Sequence, residues 1–217
     1  KPNIVWNYFY ELTRIPRPSK KEEKVIAYLL NFAKKHNLEA IKDEAGNVLI
    51  TKAATKGMEN LPTVILQGHV DMVCEKNSGT VHDFDNDPIE TVIEGDWLKA
   101  KGTTLGADNG VGAAAALAIL ASDDIQHSKL ECLFTVDEET GLTGAYALGK
   151  DFLKGDILIN LDTEEEGEVY IGCAGGKITT ATFSYKQETA PENYFWFRAQ
   201  VKGLNGGHSG SEIHKGL

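Results

Sequence analysis

Apolar positions along the first third of the chain recur at helical spacing and then switch to strand spacing. Ile4, Val5, Tyr8, Phe9 and Leu12 mark one face of a first helix, and Pro16 and Pro18 break the pattern before the next element. Ser19 and Glu22 stand where a capping box would, ahead of a second helix with the apolar face Val25, Ile26, Leu29, Leu30 and Ala33. Two short β-like runs, 39–42 and 48–52, flank the turn Ala45-Gly46-Asn47, and a central strand is expected over 63–67. The pattern then predicts an alanine-rich helix over 113–121, an alternating strand through Leu130, Cys132, Phe134 and Val136, and a buried-type strand over 157–161. Helices followed by strands indicate an α/β domain. After Gly175-Gly176, alternating runs over 177–185 and 194–202 predict two further strands and the start of a second domain.

Three of the apolar strands end in residues suited to a site. The first exits into His69-Val70-Asp71; a strand presents residues two apart on one face, so the carboxylate can orient the imidazole. Another ends in Asp137-Glu138-Glu139, where consecutive glutamates of a strand end point in opposite directions, one towards a metal and one free to take a proton from water. The last ends at Asp162. Between them a glycine-rich loop, 102–112, carries Asp108 into the alanine-rich helix. It has neither the Lys-Ser/Thr ending of a P-loop nor the spacing of a dinucleotide fingerprint, and its carboxylate would repel phosphate, so it suits a cation. Acidic groups at strand exits match the place where open α/β sheets bind ligands. Each motif alone also has a plain structural reading as a turn pair, a helix cap or a solvated charge run.

Composition narrows the function classes. With 217 residues, 41% of them hydrophobic, the chain can bury a sizeable core, and a formal net charge of −10 excludes a phosphate-backbone binder. No apolar run reaches membrane-spanning length, and the N-terminus has no signal-peptide core. Cys74, Cys132 and Cys173 lie in or beside apolar runs without metal-ligand spacing, as reduced buried thiols would in a cytoplasmic protein. Asp83, Asp85, Asp87 and Glu94 imitate a calcium-binding EF-hand loop, but Pro88 stands where that loop needs glycine, so 81–94 reads as a solvated acidic loop.

Five stretches in order, LQGHVDMVCEKN, GTTLGADNGVG, TVDEETGLTGA, LINLDTEEEGE and GLNGGHSGSEIHKG, resemble the dinuclear zinc peptidases of the aminoacylase and carboxypeptidase family. Within that family the chain is similar, nearly end to end, to the aminoacyl-histidine dipeptidases, also called Xaa-His or cytosol non-specific dipeptidases. The resemblance implies a zinc-peptidase-like sheet flanked by helices over residues 1–176, followed over 177–217 by the start of an α+β ferredoxin-like lid that often supplies a dimer surface. It implies two divalent metal ions, with His69 and Asp162 on one, Glu139 on the other and Asp108 bridging both. Asp71 would support His69, Glu138 would be the general base, and His208 in Gly206-Gly207-His208-Ser209-Gly210 would donate to the developing oxyanion. Oxygen and imidazole ligands without cysteine suit zinc, and manganese or cobalt fit the same geometry.

The implied activity is hydrolysis of small dipeptides with a free N-terminus, by a metal-activated water and a glutamate base. Hydrolysis of N-acyl amino acids on the same scaffold, and a non-catalytic metal-binding or interaction module, stay open as alternatives. Family members continue beyond the position of Leu217 and return to the catalytic domain, where the last histidine ligand of the second metal resides. The resemblance therefore implies a truncated chain, weak at its second metal site and inactive alone, with activity in the full-length form. His36, His82, His127 and His214 lack supporting context and are expected at the surface.

Overall fold

The N-terminal helical pattern becomes α1 (Asn3–Thr13) and α2 (Glu23–Lys35), separated by the two prolines. Strands β1 (Glu39–Lys42), β2 (Val48–Lys52) and β3 (Val64–His69) follow, then a hairpin of β4 (Thr91–Glu94) and β5 (Trp97–Ala100). Helix α3 (Ala107–Ala121), strand β6 (Leu130–Thr135), the short α4 (Thr143–Tyr146) and strand β7 (Ile157–Asn160) complete the sequence of elements before a single 3-10 turn, Ile213–Lys215. The computed structural model describes residues 3–163, 167–173, 175, 179–203 and 213–216. They group into two compact units, Lys1–Glu168 and Val169–Leu217.

The first unit is built on a mixed sheet in the order β1-β2-β6-β3-β7. β3 lies between β6 and β7 and is parallel to both, whereas β1, β2 and β6 pair antiparallel in succession. Parallel neighbours need a crossover, and α3 lies within the connection from β3 to β6, packed against both strands and against α1. One face of the sheet carries the main core: Phe9 and Leu12 of α1, Val25, Leu29 and Phe32 of α2, and Leu117 of α3 bury against Val48, Ile50, Leu66, Cys132 and Phe134. Alternation sends Leu49, Ile65 and Leu133 to the opposite face, where Leu148, Phe152 and Leu153 cover them. Close helix packing depends on absent side chains: a Cβ on Gly68 would lie 2.2 Å from Asn109 Oδ1, and one on Gly112 would lie 2.7 Å from the Leu161 carbonyl.

The structure departs from the sequence pattern in several places. The expected capping box is not formed; α2 begins after Glu22 without a side-chain cap, and Ser19 and Glu22 bond to residues far along the chain instead. The apolar run of β7 reads as a strand covered on both faces, yet β7 is an edge strand and Ile157, Leu158 and Ile159 are about half exposed. Helix α3 starts at Ala107 and thereby includes Asp108, although Asp108 and Asn109 have non-helical backbone angles. The acidic loop is shorter than the pattern suggests. Asp83 satisfies its own loop by accepting from Asp85 N and Asn86 Nδ2, while 91–100 form the β4–β5 hairpin through a turn with Gly95 at φ +62°. Of the thiols expected to be buried, Cys132 is, Cys74 is half-buried and Cys173 is exposed. Of the four histidines expected at the surface, only His214 is exposed; His36, His82 and His127 are half-buried against neighbouring groups.

In the second unit, residues 179–203 form no strand among the described residues. Alternation marks two faces of a ribbon, but a ladder also needs a neighbour to take its N–H and C=O groups, and no described residue pairs with this segment. Its local order is a turn closed by Tyr194 N donating to the Pro191 carbonyl, with the Phe195 and Phe197 rings 6.1 Å apart.

Candidate active site at the strand exits

The parallel register of β3, β6 and β7 brings three strand exits to one level, since His69 pairs with Thr135 and Gln67 with Asn160. His69 is the last residue of β3, Glu138 and Glu139 lie in the turn after β6, and Asp162 lies two residues beyond β7. Asp108, from the start of α3, reaches the same place: its Oδ1 is 2.9 Å from His69 Nε2. Asp162 Oδ2 stands 3.8 Å and Glu138 Oε2 3.9 Å from that same nitrogen. Ligand atoms of His69, Asp108 and Asp162 lie within 4.8 Å of one another, and so do those of His69, Glu138 and Glu139.

The two glutamates do not diverge as strand alternation would have them. β6 stops at Thr135 and Asp137 takes a positive φ of 51°, so Glu138 and Glu139 both face His69. Asp71 holds them. This fully buried carboxylate accepts from His69 Nδ1 at 3.2 Å and Glu138 N at 3.1 Å on Oδ1, and from Ser19 Oγ at 2.8 Å and Glu139 N at 3.2 Å on Oδ2. Burial opposes its charge, but the bonds from His69, Ser19 and Glu138 outweigh burial and keep Asp71 below the usual carboxylate range.

Crowded acidic groups shape the other charges. Burial works against a charged His69, yet its hydrogen bonds to Asp108 and Asp71 and the nearby Asp162 lift its pKa to about 10. Asp162 is pushed up to about 6 by burial and by repulsion from Asp108, with His69 acting against both. Burial also raises Glu138 and Glu139, and Asp108 adds repulsion to each. Asp108 stays low chiefly through its bond from His69. The carboxylates gathered this closely repel one another, and together with the imidazole they offer the oxygen and nitrogen donors that a divalent ion takes.

His208 lies outside the described residues. Other residues that shape the site carry no sequence signal: buried Arg17, Glu22 and Asn109 act across long separations, Asn109 by donating from Nδ2 to the Leu161 carbonyl at 2.7 Å, one residue before Asp162. A residue between two prolines, or an asparagine after an aspartate, does not announce such a role.

Residues 65–209, which include every strand exit described above, match Peptidase family M20/M25/M40. Over 216 residues the chain is 50% identical to the cytosol non-specific dipeptidase of Escherichia coli (strain K12), covering 100% of this chain and 44% of that protein. The solved aminoacylhistidine dipeptidase from Vibrio alginolyticus superposes with a TM-score of 0.78 at 52% identity, over 80% of this chain and 35% of that one. A tripeptidase from Staphylococcus aureus follows the same fold with a TM-score of 0.64 at 25% identity, over 76% of this chain and 44% of that one. The chain spans about half the length of the curated relatives it matches. No helix among the described residues is long and apolar enough to cross a membrane. Because the match takes in the strand exits and the helix start that deliver His69, Asp108, Glu138, Glu139 and Asp162, fold and sequence agree, and the chain belongs to Peptidase family M20/M25/M40.

Proposed function

We propose that the chain carries the metal-binding half of a dipeptidase that hydrolyses small peptides with a free N-terminus, of the aminoacyl-histidine kind. The supporting observation is the convergence of Asp108, Asp162 and Glu138 oxygens on His69 Nε2 at 2.9, 3.8 and 3.9 Å, with Glu139 alongside. In this reading His69 and Asp162 would hold one divalent cation and Glu139 a second, with Asp108 as a ligand shared by both. Zinc suits the donors, with manganese or cobalt as substitutes. When bound, the cations supply Lewis acidity that polarises the peptide carbonyl and acidifies water.

The protein's own residues do the rest. Asp71 accepts from His69 Nδ1, which leaves Nε2 as the ligating nitrogen and fixes the ring plane. Glu138, partly buried and raised above the usual carboxylate range, takes the proton from the attacking water and passes it to the leaving amine. His208 would donate to the carbonyl oxygen as it gains charge. We assign residues 177–217 to the start of a second domain of the lid and dimerisation kind. Free cysteines, with no disulfide among the described residues, fit a cytoplasmic setting. Replacing Glu138 tests the reading in the intact protein: Glu138→Ala should lower kcat on a free dipeptide by about 100-fold or more while zinc still binds. A variant that keeps its rate would remove Glu138 from the mechanism.

A further inference from the structure

Three buried carboxylates, Glu22, Asp71 and Asp137, form a second cluster behind the site, with ligand-type oxygens within 4.8 Å of one another. A cation there would be one explanation, but donors already occupy both oxygens of Asp71 and of Asp137 and one oxygen of Glu22. Asp71 takes the four described above. Asp137 accepts the hydroxyls of Thr140 and Thr143, one on each oxygen. Glu22 Oε1 accepts from Lys20 N at 2.9 Å and from Asp137 N at 2.9 Å. Three consecutive N–H groups, those of Asp137, Glu138 and Glu139, therefore end on two buried carboxylates, the first on Glu22 and the next two on Asp71.

We propose that the segment from Arg17 to Glu22 positions the site, with Glu22 as the residue that sets the turn aiming Glu138 and Glu139 at His69. The inference rests on the proposed function for its catalytic consequence, but its geometry stands without metal. The segment grips two strand exits, those of β3 and β6. Arg17, 1% exposed, donates from Nη1 to the carbonyls of Val70 and Asp71, both at 2.9 Å, and from Nη2 to the Gly106 carbonyl, so one side chain ties the exit of β3 to the loop that carries Asp108. The Arg17 carbonyl in turn accepts from Met72 N at 3.1 Å. Ser19 holds the Asp71 carboxylate and Glu22 holds the turn after β6. The positive φ at Asp137 explains why an external anchor is needed: a residue in that conformation cannot continue the β6 ladder, and its N–H must find another acceptor. Glu22 is thus a positioning residue that never reaches the reacting atoms.

Amide hydrogen exchange at 137–139 in the metal-free chain, zinc titration and dipeptide kinetics of the intact protein separate this role from mere support. Glu22→Ala should speed exchange at all three amides and lower zinc affinity and kcat by about tenfold or more, with KM little changed. Glu22→Gln retains a carbonyl oxygen for both N–H donors and should restore most of each loss. A Glu22→Ala protein that melts earlier yet binds zinc and turns over like wild type would overturn the proposal. So would an additional tight zinc ion that disappears with Glu22, since the cluster would then be a metal site. Should Glu22→Ala fail to fold, Ser19→Ala decides: faster exchange at 138 and 139 with about threefold weaker zinc binding supports the role, and wild-type values refute it. If exchange responds as stated but the wild type binds no zinc, the positioning role holds and the proposed function falls.

Discussion

His69 shows how a single residue joins the fold to the chemistry. It is buried to 1% exposure, yet its pKa of about 10 makes it a cation at neutral pH, balanced by Asp71 on one nitrogen and Asp108 on the other. A protonated imidazole cannot ligate, so an entering metal must displace that proton. Asp162, with a pKa of about 6, is mostly ionised at pH 7 and protonated near pH 5. Zinc binding at the site of His69 and Asp162 should therefore release about one proton at pH 7 and nearly two at pH 5, and its apparent affinity should rise with pH over that range. Titration calorimetry in buffers of different ionisation enthalpy measures this directly; release that does not change with pH would show that these two groups are not ligands. At this scale the gathering of His69, Asp71, Asp108, Glu138, Glu139 and Asp162 was legible, because three strand exits and one glycine-rich loop carry these side chains. Arg17 and Glu22 were not, because their partners lie 53 to 115 residues away and local spacing points only to a helix start.

At the scale of elements, periodicity located most helices and strands, since burial on one face imposes a repeat that can be read directly. It failed where a partner rather than a repeat decides the outcome. The hairpin β4–β5 leaves Ile93 and Trp97 largely exposed, so no apolar face advertises it. The direction of Glu138 and Glu139 depended on where β6 stops, and element ends are the weakest part of any periodic reading. The glycines at the contact between β3 and α3 carry a sharper consequence. Gly68→Ala should destabilise the protein by about 1–3 kcal/mol and shift Asp108 away from His69, because the added methyl meets Asn109 at the start of α3. Gly149→Ala, with nothing within 4 Å, should stay within about 0.5 kcal/mol of wild type. Denaturant melts of both variants check the contrast, and zinc affinity should fall only in the first.

For the whole molecule, the sequence conveyed an α/β sheet with acidic groups at the carboxyl ends of its strands, and the first unit has that form. The strands expected over 177–202 are absent from the described residues because alternation cannot provide their partner. A net charge of −10, with several carboxylates gathered at one site, favours capture of cations and should make it sensitive to salt. If the native state alone binds zinc, free metal at 100 times the dissociation constant should add about 2.7 kcal/mol of stability, and chelator should remove it. Thermal melts with and without chelator supply that measurement, and an unmoved midpoint would count against a native-state site. The parallel ladders of β3 with β6 and β7 also act as a ruler. Insertions in the connections away from Asp108, Glu138 and Glu139 leave the spacing of the strand exits untouched, but one extra residue inside a ladder displaces an exit by about 3.3 Å and turns its side chains over. Such a protein is thus free to grow or shed surface loops, while the count of residues within each of these three strands is pinned by the need to bring His69, Glu138 and Asp162 within reach of one another.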